Sequence, residues 1–161
     1  MARNGDVVQA QRLTGELNQS FPLDTMMQSY SLPTIRAAIE LEKNNPRRAI
    51  DLLQASIPYE LGQSNPICRL YPVYVRGQAY LKEGHGQQAA EEFQKMLDHP
   101  GPIGNSVLGS LAHLQLGRAE VMMGDKAAAR KSYQDFLTLW RDADPDIPIY
   151  KEAKAEYAKL K

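Results

Sequence analysis

The sequence predicts an all-α fold, an α-solenoid of stacked antiparallel helix hairpins closed by a C-terminal capping helix, and three observations predict it. The segment GQAYLKEGHGQQAAEEF, residues 77 to 93, is echoed by GRAEVMMGDKAAARKSY, residues 117 to 133. In both, Gly stands first and eighth, Ala third and thirteenth, and an aromatic closes. The register extends backwards: Ala129, Ala89 and Ala49 stand forty residues apart, and Ala10 lies one position short of a further step. Finally, apolar residues follow each anchor with helical spacing, as in Ala89, Ala90, Phe93, Met96 and Leu97, or Ala129, Tyr133, Phe136, Leu137 and Trp140.

The chain opens in residues 5–22 on the second helix of a hairpin. Asp6 follows Gly5 as an N-cap, Ala10 is the anchor and Pro22 closes. The partner helix is expected upstream, so Val7, Val8, Ala10, Leu13 or Leu17 should meet a surface that this hairpin does not cover, and the edge should pair with another copy. A second unit occupies 30–62, where Pro46 starts a helix because its missing N–H costs nothing there. In the third, 70–101, YPVYVRGQAYL runs into Gly84, and in the fourth, 105–141, SLAHLQLGRAEVMM runs into Gly124. Glycine tolerates the left-handed conformation that ends a helix, and Asp125 then caps the next. The turn-rich stretches GQSNP and HPGPIGNS link these units. The last segment, 147–161, carries Tyr150, Ala153, Tyr157 and Leu160 on one stripe and should cap the stack over Leu137 and Trp140.

Composition narrows the function. Nineteen basic residues balance nineteen acidic ones, so no net field draws the chain to nucleic acid or to an anionic membrane. No apolar run is long enough to span a bilayer, and MARNGDVVQAQRL has no apolar core of a signal peptide. Cys68 is alone, and neither a neighbouring His nor a basic cluster activates it. His85, His99 and His113 have no zinc spacing, and DADPD opens like a calcium loop but continues with Ile147 and Ala153 where Gly and Glu belong. The repeated glycines are seven apart inside helices, which suits close helix packing and not a phosphate loop. The NQS triplet at 18–20 fits a glycosylation acceptor, with nothing else to support that context. No base, nucleophile, metal set or cofactor motif converges, so no enzyme is expected.

Small residues at the hairpin crossing, Gly at the turn and an aromatic in the second helix together resemble the tetratricopeptide repeat. Gly77, Tyr80, Ala89 and Phe93 match one repeat; Leu116, Gly117, Ala129 and Tyr133 match the next, with Glu120 at the aromatic position. Ala10 and Pro22 match an earlier copy, and the copy around Ala49 has Ala37 for Gly and Leu53 for the aromatic. The forty-residue step exceeds the family's 34, and the extra residues are expected in the junctions. DFLTLWRDADPDIPIYKEAKAEYAKL, residues 135 to 160, together with LYPVYVRGQAYL, is similar to the C-terminal repeat region of bacterial eukaryotic-like serine/threonine kinases and of some winged-helix regulators.

The resemblance implies a non-catalytic docking or sensing segment of a larger signalling protein, in the cytoplasm, or outside the membrane if the parent is a membrane-anchored kinase. It implies a concave groove for a protein or peptide, lined by Thr34, Ala38 and Leu41, by Tyr74, Gln78, Leu81 and Lys82, and by Leu114, Arg118, Val121 and Met122. Lys82 and Arg118 are available there for a carboxylate. The alternative is a structural spacer or self-association segment that positions a kinase or DNA-binding domain.

Overall fold

The computed structural model describes residues 6–62 and 70–160, and these are helical with no strand among them. Gly5, Pro66, Cys68 and Lys161 lie outside the described residues. In chain order the helices are α1 (Val7–Ser20), α2 (Leu32–Glu42), α3 (Pro46–Leu53), α4 (Tyr71–Glu83), α5 (Gly86–Asp98), α6 (Pro100–Ile103), α7 (Val107–Met123), α8 (Lys126–Leu139) and α9 (Pro148–Ala158). A π-helical turn, Met27–Ser31, leads into α2, and a 3₁₀ segment, Gln54–Tyr59, follows α3. Pro33 gives a reason for the π turn. It cannot donate to the carbonyl four residues back, and its ring crowds that carbonyl. The amide of Leu32 bonds Met27 O instead.

Three turns of the same design fold α2 onto α3, α4 onto α5, and α7 onto α8. Asn44, Gly84 and Gly124, forty positions apart, have φ of 61°, 77° and 82°. At each, that residue's amide bonds a carbonyl three back, at Leu41, Leu81 or Val121, and the next amide reaches five back, to Glu40, Tyr80 or Glu120. These paired bonds satisfy the last free carbonyls of the helix and reverse the chain. The next helix is then capped: the Asp125 carboxylate accepts from the amide of Ala128 at 3.0 Å, as Asp6 does from Gln9 at 3.1 Å. Pro46 occupies the first turn of α3.

Close crossing of the paired helices explains the small residues. A Cβ built on Gly77 would stand 2.6 Å from the Phe93 ring, and one on Gly117 2.9 Å from Tyr133. Glycine lets each aromatic lie against the backbone of the facing helix. Ala49, Ala89 and Ala129 are all fully buried, and Ala10 nearly so. Three apolar clusters result, one around Ala37, Ala49 and Leu53, one around Tyr74, Ala89 and Phe93, and one around Leu114, Ala129, Tyr133 and Phe136. Each helix packs chiefly on its neighbours in sequence, and α4 also touches α2 and α7. Helix α9 packs on α8, where Tyr150 and Ala153 join the third cluster beside Leu137 and Trp140.

The first junction is secured by charge. Glu60, fully buried, receives Arg76 Nη1 at 2.7 Å, Arg76 Nη2 at 3.2 Å, Lys95 Nζ at 2.6 Å and Ser56 Oγ at 3.2 Å. Arg76, itself buried, also donates to Glu92 at 2.6 Å. Burial pushes the Glu60 carboxyl up, but the bonds and charges of Arg76 and Lys95 outweigh it and hold the group below the usual carboxylate range. Burial disfavours the Arg76 cation, and Glu60 and Glu92 more than restore it. The network ties the segment after α3 to α4 and α5. In the second junction, HPGPIGNS is no plain loop, since it contains α6.

Candidate functional site

The forty-residue register sets one helix of each pair beside the next, so equivalent positions line up across α2, α4 and α7. They enclose a cleft of about 380 Å³. Ala38, Leu41 and Glu42 come from α2, Val75, Gln78, Leu81 and Lys82 from α4, and Gln115 and Arg118 from α7. Ala38, Gln78 and Arg118 are three copies of one position, Val75 and Gln115 two copies of another, and Glu42 and Lys82 two of a third. Leu41 and Val75 are buried and give an apolar floor, and the walls carry amides and charges of both signs.

Six of the sequence-derived groove residues therefore meet in the cleft: Ala38, Leu41, Gln78, Leu81, Lys82 and Arg118. Thr34, Tyr74 and Leu114 do not line it, and all three are buried between helices. Thr34 Oγ1 donates to Tyr30 O at 2.6 Å. Tyr74 packs edge-on against Phe93, and its hydroxyl accepts from Gln115 Nε2. Leu114 belongs to the cluster under α9. In α4 and α7 the lining position is the next residue along, Val75 or Gln115. Val121 and Met122 are exposed near the turn at Gly124, beyond the cleft lining. Sequence reasoning missed Glu42, Val75 and Gln115; the three-residue step from Val75 to Gln78 and from Gln115 to Arg118 is the signal that could have found them.

The two cations differ. Lys82 Nζ donates to Leu41 O at 2.8 Å, bridging α4 to the negative end of α2, and has no carboxylate within 4 Å among the described residues. Arg118, read from the sequence as available for a ligand, is already engaged by α9. Its Nε and Nη2 donate to the two Glu156 oxygens at 2.9 and 2.8 Å, and Nη2 reaches Glu152 at 3.2 Å. Tyr133 donates its hydroxyl to Glu156 at 2.7 Å. Burial would raise the Glu156 carboxyl, but the bonds from Arg118 and Tyr133 prevail and lower it. Burial, and then the bond to Glu156, raise the Tyr133 phenol.

Among the described residues no group of three or more His, Cys, Asp or Glu could hold a metal ion, and no helix is long and apolar enough to cross a membrane. Comparison with protein-family models, with curated proteins and with solved structures finds no match.

Proposed function

We propose that the chain is a tetratricopeptide-like solenoid and a non-catalytic protein-interaction module, the docking or sensing segment of a larger signalling protein, which binds a peptide or helix in the cleft between α2, α4 and α7. The observation that carries this reading is the cleft itself: successive helix pairs contribute equivalent positions to one open surface with an apolar floor. Such a surface suits a segment with an apolar anchor. Lys82 offers the cation for its carboxylate, because α9 holds Arg118.

The test compares the proteins retained by the intact chain with those retained by Lys82→Glu, by Ala38→Trp, which fills the cleft, and by Arg130→Glu, an exposed residue of α8, as control. Partners lost with the first two and kept with the third support the cleft. Equal retention by all four overturns it.

A second reading, self-association through the N-terminal edge, draws on one observation. Val8 on α1 is 79% exposed, whereas Ala10, expected on the same uncovered surface, is buried where α1 packs on α2.

A further inference from the structure

A second cleft, of about 750 Å³, opens at the second junction, where α6 links the end of α5 to the start of α7. Met96 and Leu97 at the end of α5, Pro100 and Ile103 of α6, and Trp140 after α8 supply its apolar lining, with Val107 and Leu139 beside them. Neither Lys, Arg, Asp nor Glu lines it. His113, its one titratable liner, is half-buried, and burial favours the neutral imidazole. The first cleft, by contrast, carries Glu42, Lys82 and Arg118.

Trp140 is fixed in place. Its indole Nε1 donates to Ser110 Oγ at 2.8 Å, and its ring stands 5.0 Å from Phe136 and 6.4 Å from Tyr150. The bond satisfies the indole's polar atom and leaves an apolar surface in the lining. Val107 and Leu139 remain 55% and 61% exposed. A small molecule settling on the floor would leave these two side chains in water, whereas a polypeptide crossing the cleft covers them. Exposed apolar side chains around a well-packed aromatic are the anatomy of a protein-binding hot spot. An uncharged lining also selects, since a charged group buried there would find no opposite charge among the lining side chains, the Asp135 carboxylate lying behind His113 at 3.9 Å.

We infer that this cleft is a second interaction surface, which receives an apolar side chain from an uncharged segment of a partner polypeptide. It is independent of the first cleft, and its test uses different residues.

Trp140 is the chain's one tryptophan, so its indole N–H gives a single reporter resonance in a ¹⁵N-correlation spectrum. The probe is N-acetyl-leucyl-leucinamide, with N-acetyl-leucyl-aspartamide bearing a free side-chain carboxylate as the charged counterpart. The indole resonance should move and saturate with the uncharged dipeptide, and the charged one should bind roughly ten-fold more weakly, as expected when one leucine's apolar burial is lost. Val107→Glu and Leu139→Glu, both at exposed positions and checked for unchanged helical circular dichroism, should each weaken binding several-fold. Val121→Glu, an exposed apolar residue elsewhere, should not. An indole resonance that stays still, equal response to both dipeptides, or undiminished binding by both rim variants would overturn the inference. None of these results bears on Lys82 and Ala38, so the first cleft stands or falls separately.

Discussion

Replacing Glu60 with Gln tests the charge network that anchors the first junction. The carboxylate is fully buried and accepts from Arg76 twice, from Lys95 and from Ser56. Breaking a buried ion pair by removing one partner costs about 3 to 5 kcal/mol, because the other charge is left uncompensated. Two features place this case near the lower end. Arg76 keeps Glu92 at 2.6 Å, and Lys95, 30% exposed, can turn its ammonium to water. The expected loss is thus roughly 3 kcal/mol. Urea unfolding followed by circular dichroism reads it as a lower midpoint at unchanged slope. Glu60→Gln combined with Arg76→Met should cost less than the sum of the singles, because the second change removes the stranded cation. If Glu60→Gln unfolded at the midpoint of the intact chain, the network would contribute no stability and its assigned role would be wrong.

Acid should expose the same dependence. The Glu60 and Glu156 carboxyls are held below their ordinary value of 4.5, so the unfolded chain takes up protons first. Their stabilisation is complete above that value and is lost as pH falls below it, which melting temperature against pH should record, with a shallower fall in Glu60→Gln. Gly84→Ala and Gly124→Ala should each cost about 1 kcal/mol through backbone conformation alone, since φ is positive and nothing lies within 4 Å of the added Cβ. Ala89→Leu and Gly77→Ala should overpack the helix crossing and cost about 1 to 3 kcal/mol each, and an unmoved denaturation midpoint would contradict the packing. Truncation before Ile147 should uncover Leu137 and Trp140, lower the melting temperature and promote aggregation seen by light scattering. A monomeric truncation with unchanged melting would remove the capping role of α9.

The helical class was legible because it rests on local signals. Gly84 and Gly124 mark turns, Gly77 and Gly117 face the aromatics that close the same repeat, and Asp6 and Asp125 are caps, all readable within a few turns of helix. Asn44 was harder, because Asn takes the left-handed conformation less freely than Gly and has other uses. What escaped was chemistry between distant positions. Arg76 inside YPVYVRGQAYL announces a buried cation, but Glu60 lies sixteen residues away beyond α3, and no periodicity points to it. The cleft was half visible. The resemblance put Ala38, Gln78, Lys82 and Arg118 in one groove, but the engagement of Arg118 depends on Glu152 and Glu156 of α9, which no position of the repeat announces.

The way each helix leans on its sequence neighbours bears on how the chain is made. Ties between hairpins are short in chain terms: Lys82 to Leu41 and Gln115 to Tyr74 each span 41 residues, and Arg118 to Glu156 spans 38. A hairpin leaving the ribosome need wait for only one more to be synthesised before those bonds can close. Local contacts also favour fast folding. Assembly can then keep pace with translation, and the apolar face of the newest hairpin stays bare only until the following one arrives.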